Sequence, residues 1–301
     1  MSLRARLSIL VGFVSFLFFV SFQVLGIYGG DSGDLVTAAV TFGVPHPPGY
    51  PLYTFLGWLA SKLPLFTPAW RVGLLSSISH AVTVALVFLI VATLTRRIVP
   101  ALFAAFALAG NYLFFLYSVT PEVFALFDFF VVLLLFLLMR LYQTKKIQYL
   151  YAASFVFGLS LSHHHVILLL VPAMAYGLWT HGKSQKYTVK STQVKKNFVL
   201  CTVYFLLGLL PYLYIPIAAR GSSIINWDRA VDLSGFIRLV TRADYGTFVS
   251  GGFYGSELAH RFISLKAYAQ FLLLDFSWIG LILVLLGLVA LIRFHRTLFW
   301  F

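Results

Sequence analysis

Two carboxylates stand three residues apart near the start of the chain, directly after its first apolar segment. Asp31 and Asp34 lie in the sequence GDSGDLVTAAV, where a helix is predicted to begin. The helix itself explains one acid, because its dipole and the free amides of its first turn favour a negative charge. The second acid has no such explanation. One of the two is therefore predicted to face a cavity, as a general base or as a metal ligand.

A rigid corner follows these acids. The segment 43–51 (GVPHPPGYP) cannot continue a helix, because proline removes a backbone donor and restricts the residue before it. His46 is either a plain corner residue or a side chain held beside the carboxylates. In the second case it could orient one of them or contact a phosphate. Tyr50 belongs to the same corner and is a candidate substrate-binding residue.

Two further acids open a later apolar segment. Pro121 suits the first position of a helix and Glu122 suits its dipole, and a role for Glu122 in substrate binding is the alternative. Asp128 lies about 9 Å deeper, from six residues of helical rise, in a run of phenylalanines. An unpaired acid there costs roughly 2.5–3.5 kcal/mol. Asp128 is therefore expected to face the bundle interior, with a hydrogen-bonding partner or a role in the site.

Three consecutive histidines, His163, His164 and His165, join two apolar segments. On a helix they would fan out by about 100° each and could not share one metal. In a tight turn they could bind a metal, face an anion or simply form the turn. The sequence leaves these three alternatives open.

The last polar loop carries several arginines beside acids and aromatic residues. Arg220 directly follows an apolar segment, and Arg242 is close to Asp244 and Tyr245. Arginine can clamp a phosphate with two parallel hydrogen bonds. Loop arginines are also commonly solvated or paired with acids, so phosphate binding by Arg220, Arg242 and Tyr245 is one of two interpretations.

The composition places these residues in a membrane. Hydrophobic residues make up 60% of the 301 residues and charged residues 10%, whereas soluble domains carry about 25% charged residues. We predict an all-α polytopic bundle in one domain, residues 1–301, in which the fifth and sixth spans are short for a bilayer core of about 30 Å. The eight predicted spans are 7–28, 72–95, 98–118, 121–142, 147–162, 165–181, 197–218 and 268–292.

The loops between these spans are predicted to lie alternately on the outer and the cytoplasmic side of the membrane. The first outer loop is predicted at 29–71, with an interfacial or re-entrant helix at 52–63, and the last outer loop at 219–267. Arg4 and Arg6 precede the first span, which is interpreted as an uncleaved signal-anchor with a cytoplasmic N-terminus. Most of the 22 Lys and Arg residues then lie at cytoplasmic ends, and all nine acids lie on the outer side or in the outer half of a span.

Charge and cysteine usage exclude other classes. The formal net charge of +13 is spread over membrane-flanking positions, which favours anionic lipid and not nucleic acid as its partner. The single cysteine, Cys201, excludes an intramolecular disulfide.

With these residues in hand, the chain resembles a family of bacterial membrane proteins that includes an animal protein O-mannosyltransferase acting on receptor ectodomains. The resemblance rests on GDSGDLVTAAVTFGVPHPPGYPLY at 29–53, SVTPEVFAL at 118–126, the histidine turn at 163–165 and the polar run at 214–248. The family is similar to the GT-C glycosyltransferases. Asp34 stands where many relatives are expected to carry glutamate. If the chain ends at Phe301, an acceptor-binding part is absent or is supplied by a partner.

The resemblance implies transfer of a sugar, expected to be mannose, from a polyprenyl phosphate to a protein or glycan hydroxyl at the outer face of a bacterial cell membrane. It implies that Asp31 or Asp34 is the base or a metal ligand. Arg220, Arg242 and one of the three histidines are expected to hold the phosphate, and the reaction is expected to invert the anomeric carbon. No cofactor is predicted with certainty. A divalent metal at the two aspartates stays open, because so few ligands are in view.

Two other functional classes share some of these features. A polyprenyl-lipid flippase or transporter would also carry outer acids, but it predicts exchangeable charges along a path across the membrane. The predicted cytoplasmic half of the chain lacks acids, which argues against a proton relay. A membrane scaffold without catalytic activity would not explain a rigid corner beside two acids.

Overall fold

The computed structural model describes residues 2–184, 191–246 and 258–294. These residues form helices and no strand, and one isolated parallel bridge joins Val44 and Asn226. The all-α class is therefore confirmed. The α-helices of the described ranges are α1 (Leu3–Ser21), α2 (Ser32–Thr41), α3 (Pro51–Ser61), α4 (Pro68–Thr95), α5 (Ile98–Ala109), α6 (Tyr112–Val119), α7 (Phe124–Thr144), α8 (Gln148–Leu161), α9 (Val171–Ser184), α10 (Ser191–Gly208), α11 (Tyr214–Ala218), α12 (Leu233–Val240) and α13 (Leu258–Phe294).

Fewer helices are long enough to cross a membrane than the eight predicted spans. Within the described ranges five pass on length and composition, namely α1, α4, α7, α13 and the stretch 192–218, and α5 with α6 makes a sixth if this pair, bent by 65°, is one span. The predicted spans at 147–162 and 165–181 correspond to α8 and to a 3-10 turn followed by α9. Each of these helices has 14 residues, about 21 Å of helical rise, which is short of a bilayer core of about 30 Å.

Helix α4 is the centre of the bundle. Pro68 occupies its first turn, and the Thr67 hydroxyl caps it by accepting from the Trp70 amide at 3.2 Å. Its buried residues include Val72, Val84 and Phe88. Helices α1, α3, α5 and α7 all pack around it, so α4 fixes where the first loop and the start of α7 meet.

The first loop contains two short helices, α2 and α3, which are joined by the proline corner. Helix α2 ends at Phe42, which has a left-handed backbone (φ 56°), and α3 begins after Tyr50, which is also left-handed (φ 36°). The predicted helix at 52–63 is thus confirmed as α3, and the Lys62 ammonium lies 5.3 Å from the centre of the Trp58 ring. Its position relative to a membrane surface stays a prediction.

The last loop folds back onto the first. The Val44 amide donates to the Ile225 carbonyl at 2.9 Å, and the Trp227 amide donates to the Val44 carbonyl at 3.1 Å. The Tyr214 hydroxyl donates to the Gly43 carbonyl at 2.8 Å. A Cβ atom on Gly43 would overlap the Ile225 carbonyl oxygen, so only glycine permits this approach. Residues 247–257 of the predicted loop lie outside the described residues.

Candidate functional site

Asp34 and His46 form the centre of the site. Asp34 lies in the first turn of α2, and the corner brings His46 back over it. The carboxylate oxygen Oδ2 accepts from the His46 backbone amide at 2.8 Å and contacts the ring nitrogen Nδ1 at 2.7 Å. Because a carboxylate only accepts, Nδ1 carries the proton. The corner therefore supplies a histidine whose ring orientation is fixed by an acid.

Asp31 occupies the other side of the same imidazole. Its Oδ2 lies 3.5 Å from His46 Nε2, and its side chain is 62% exposed, against 21% for Asp34. Asp31 is the N-cap residue of α2, yet its side chain makes no capping hydrogen bond. The two acids thus have different surroundings: Asp34 is held, and Asp31 is open to a ligand.

Trp227 is the third partner of Asp34. Its indole N–H donates to Asp34 Oδ1 at 3.1 Å across 193 residues of sequence. Burial alone would raise the pKa of Asp34, but the hydrogen bonds from His46 and Trp227 outweigh it and hold that pKa below its usual value of 3.8. Asp34 is therefore a poor proton acceptor and a good anchor.

Glu122 lies beside these residues but not at the helix position that the sequence predicted. Helix α7 begins at Phe124, so Pro121 and Glu122 precede it and the predicted start was wrong. The Glu122 carboxylate accepts from the backbone amides of Val123 and Asp31. Burial and the nearby charge of Asp31 nevertheless raise its pKa. Glu122 adds a fourth ionisable group to the cluster.

Tyr50 connects the corner to the histidine turn. Its ring centre lies 5.2 Å from that of His46 and 5.6 Å from that of His164. Burial lowers the pKa of His163 to about 3 and that of His164 to about 4. Both imidazoles are therefore neutral at neutral pH and can offer an anion only a neutral hydrogen bond. His163 already bonds the Val123 carbonyl at 2.9 Å.

Arg242 supplies the cationic charge near this group. It acts electrostatically on both Tyr50 and His164, and its guanidinium carbon lies 5.6 Å from the centre of the Tyr245 ring. Its Nε is buried without a hydrogen-bond partner among the described residues. The nearby acids Asp228 and Asp244 pair with Arg238 instead. Arg242 is thus a cation whose Nε–H is, within the part of the chain that the structure describes, free to donate a hydrogen bond to a ligand.

His165 and Arg220, which were predicted to bind phosphate, form hydrogen bonds within the protein instead. His165 Nε2 lies 2.7 Å from the Tyr212 hydroxyl. The Arg220 guanidinium donates to the carbonyls of Pro216 and Val231, at 3.0 and 3.1 Å. These contacts give both side chains a structural role, and phosphate binding by either stays a prediction.

Asp128 lies in a separate place. Its carboxylate is 3.2 Å from Nε2 of His80, and His80 Nδ1 lies 2.7 Å from the Ser118 hydroxyl. Asp128 thus has the partner that its depth in the bundle required. The carboxylate also borders a largely apolar cavity of about 760 Å³, called here the Asp128 cavity. Its walls include Leu108, Phe114, Tyr117, Phe127, Asp275 and Val284.

The Asp128 cavity is adjacent to the acids of the first loop. Tyr117 lies within electrostatic reach of Glu122 and Asp31. Phe127 has its ring centre 5.3 Å from that of His164. The apolar cavity therefore begins next to both the acids and the histidine turn.

The described residues contain no group of three or more His, Cys, Asp or Glu side chains that could hold a metal ion. A divalent metal at the two aspartates therefore stays a prediction without a ligand set. Two partners were missed by sequence reasoning. Trp227 gave no signal, because its partner is distant in sequence. His80 could have been found, since an ionisable residue inside an apolar helix calls for a partner.

Comparison with known proteins adds two relatives. The chain is 30% identical over 299 residues to "Protein O-mannosyl-transferase tmem260" of Dictyostelium discoideum, covering 92% of this chain and 36% of the relative. It is 34% identical over 231 residues to "Protein O-mannosyl-transferase TMEM260" of Mus musculus, covering 73% of this chain and 31% of the relative. The chain thus spans about a third of the length of these relatives. No solved structure matches.

The match to a family covers most of the site described above. The profile described as the Protein O-mannosyl-transferase TMEM260 N-terminal domain aligns with residues 31–188. That range begins at Asp31 and includes the corner, Glu122, Asp128 and the histidine turn, while Trp227 and Arg242 follow it. The chain belongs to the family of the Protein O-mannosyl-transferase TMEM260 N-terminal domain.

Proposed function

We propose that this chain is a membrane glycosyltransferase that moves a sugar, expected to be mannose, from a polyprenyl-phosphate donor to a protein hydroxyl. The names of its relatives support protein O-mannosyl transfer. The observation that carries the proposal for this chain is the unequal pair of acids around His46, in which Asp34 is held and Asp31 is open. Such a pair suits a base beside a fixed anchor.

The proposed reaction is a single displacement. The acceptor oxygen forms a bond to the anomeric carbon while the bond from that carbon to the phosphate oxygen breaks. The electron pair of the broken bond leaves with the phosphate, and the hydroxyl proton goes to the Asp31 carboxylate. His46, oriented by Asp34, has its proton on Nδ1, so its Nε2 can accept a hydrogen bond from Asp31 once that carboxyl has taken up the proton. Attack opposite the leaving group inverts the anomeric carbon.

Arg242 is the group best suited to the departing phosphate. Its guanidinium has a buried Nε without a partner among the described residues, and it acts electrostatically on Tyr50 and His164. A cation placed where negative charge develops lowers the barrier to transfer. Tyr245, under the guanidinium, would keep it in place.

The Asp128 cavity would hold the lipid part of the donor. It measures about 760 Å³, it is lined mainly by Phe, Leu and Ala, and it begins beside Tyr117 and Phe127. A polyprenyl chain is wholly apolar, and each CH₂ removed from water contributes about 0.8 kcal/mol. The donor phosphate would then lie where the cavity meets the acids.

The site is proposed to face the outer side of the membrane. The turns that join α4 to α5 and α7 to α8 carry Arg96, Arg97, Lys145 and Lys146, whereas the acids gather at the other end of the same helices. Basic residues mark cytoplasmic loops. Arginine or lysine accessibility to an impermeant reagent in sealed vesicles would test this orientation.

The proposal is tested by incubating purified protein with labelled polyprenyl-phosphate mannose and an acceptor peptide. Asp31→Asn is expected to lower kcat by about 10²–10⁴-fold, the range for loss of a general base, without a change in fold. Asp34→Asn is expected to lower kcat less, because it disturbs the orientation of His46 but leaves the base.

Asp232→Asn is the matched control. Asp232 caps α12 by accepting from the Gly235 amide at 2.8 Å, and asparagine caps a helix equally well. Its activity should equal that of the unchanged protein. Full activity of both Asp31→Asn and Asp34→Asn would remove the assignment of the base, and absence of transfer by the unchanged protein with any polyprenyl donor would remove the proposed function.

A further inference from the structure

We propose that Trp227 is a positioning residue of the site, acting through Asp34 on His46. This inference rests on the proposed function and names a residue of the last loop that was not among the candidate site residues of the sequence and that lies outside the range matched by the family profile. It is carried by geometry: the indole N–H of Trp227 donates to Asp34 Oδ1 at 3.1 Å.

The two oxygens of Asp34 have separate partners. Oδ2 contacts the backbone amide and Nδ1 of His46, and Oδ1 accepts from Trp227. A carboxylate turns readily about the bond that joins it to Cβ, since this torsion has only broad minima. Tying both oxygens removes that rotation. Trp227 thereby fixes the plane of the carboxylate that fixes the imidazole ring.

The orientation of the ring decides where Nε2 points. His46 Nε2 lies 3.5 Å from Asp31 Oδ2 on the exposed side of the cluster. A small rotation of the Asp34 carboxylate would move Nδ1 and swing Nε2 relative to Asp31. Such a displacement changes the rate of transfer more than it changes the binding of the donor.

Trp227 is itself held by the segment that carries His46. Its amide donates to the Val44 carbonyl at 3.1 Å, and the Val44 amide donates to the Ile225 carbonyl at 2.9 Å. Val44 precedes His46 by two residues. The same short stretch of backbone therefore sets the positions of the imidazole and of the indole.

The indole also contributes packing. Trp227 is 42% exposed, so more than half of its surface is buried, and its ring centre lies 6.4 Å from that of His46. Trp227→Phe keeps an aromatic ring and removes the N–H donor. This substitution separates the hydrogen bond to Asp34 from the packing.

The experiment compares Trp227→Phe, Asp34→Asn and the double variant in the full chain, with Trp278→Phe as control. Trp278 is 70% exposed on α13, a helix that carries none of the acids or histidines of the first-loop cluster. Trp227→Phe is expected to lower kcat about tenfold with KM changed less than about twofold. The double variant should have the activity of Asp34→Asn alone, because Trp227 acts through Asp34.

The pH profile gives a second readout that a purely structural role would not move. Loss of the indole hydrogen bond raises the pKa of Asp34 toward its usual value, so the acid side of the kcat profile should move to higher pH. Trp227→His keeps a ring N–H donor and should recover part of kcat. Equal losses in the Phe and His variants, additive effects with Asp34→Asn, or activity equal to that of Trp278→Phe would each overturn the proposal.

Thermal unfolding tests the link between Trp227 and Asp34 even if the purified protein transfers no sugar. The change in Tm between pH 7 and pH 3 should be smaller in Trp227→Phe than in the unchanged protein, and Trp227→Phe should add nothing to Asp34→Asn. If the unchanged protein transfers no sugar but this coupling is found, the proposed function fails and the link between Trp227 and Asp34 stands. If the coupling is missing in an active protein, only the positioning role fails.

Discussion

Asp34 and Glu122 are both partly buried, yet the pKa of Asp34 is lowered and that of Glu122 is raised. Asp34 receives enough hydrogen bonds from His46 and Trp227 to stay ionised below its usual pKa. Glu122 accepts only from backbone amides and lies near the charge of Asp31, so burial raises its pKa. The ionised form of Asp34 therefore contributes stability that is lost as the pH falls. The ionised form of Glu122 opposes folding, and this effect fades as the pH falls.

Glu122→Gln is expected to raise Tm by a few degrees at pH 7 and to have no effect at acid pH. Since the folded-state pKa of Glu122 lies above its unfolded value, stability is lost as the pH rises from the unfolded pKa through the raised pKa, and nothing is lost below the unfolded pKa. Thermal unfolding followed across pH 4–8 measures the difference. A loss of Tm at pH 7 would show instead that the charge of Glu122 stabilises the fold.

Short elements, not the long spans, place the site. Helix α2 has 10 residues and α3 has 11, and the corner between them is held against the last loop by Val44 and Tyr214. Spacing by three residues places Asp31 and Asp34 at the same end of α2, but only the corner returns His46 to them. The contact between the two loops is thus what completes the site.

Gly43→Ala is expected to disturb that contact. Its Cβ would overlap the Ile225 carbonyl oxygen and the Ser223 hydroxyl, and an overpacked contact costs about 1–3 kcal/mol. The shift of residues 223–227 would also move Trp227 from Asp34, so transfer should fall with Tm.

Gly29→Ala is the control for this prediction, because a Cβ at Gly29 meets nothing within 4 Å in the same loop. Activity and Tm of the Gly29 variant should match those of the unchanged protein. Equal behaviour of the Gly43 and Gly29 variants would show that the two loops do not depend on their close approach.

At the scale of the molecule, the structure contains a large apolar cavity and a large apolar groove that could hold a lipid chain. The Asp128 cavity lies between α5, α6, α7 and α13. A groove of about 580 Å³, called here the Phe55 groove, has walls from α3, α8, α10 and α11. Its walls include Phe42, Phe55, Leu56, Leu159, Leu207 and Tyr214. Either could take an apolar chain, and the first is proposed for the donor because Tyr117 on its wall feels the charges of Asp31 and Glu122.

Ala107→Trp is expected to fill part of the Asp128 cavity and to raise KM about tenfold for a long-chain donor, about 1.4 kcal/mol of lost binding. A donor with a short, water-soluble chain should be unaffected, because it does not reach the cavity. Steady-state kinetics with the two donors measure the ratio. Leu56→Trp, in the Phe55 groove, is the control, and a larger effect there would reassign the lipid to that groove.

The sequence by itself determined the helical class and the segment that carries the candidate acids. Apolar composition and the proline corner are local properties, and they predicted the all-α class, α3, and acids gathered near Asp31. One local expectation was wrong, because α7 begins at Phe124 and not at Pro121. Among the described residues five helices are long and apolar enough to span, and the bend of 65° between α5 and α6 decides whether that pair is a sixth.

Only the tertiary structure decided which groups are paired. Asp34 and Asp31 look alike in sequence, but Trp227, 193 residues away, binds one and leaves the other exposed. Asp128 received His80 from another helix in the same manner. Burial and hydrogen bonding set the pKa and the role of a carboxylate, and both arise from contacts between distant segments that no local pattern encodes.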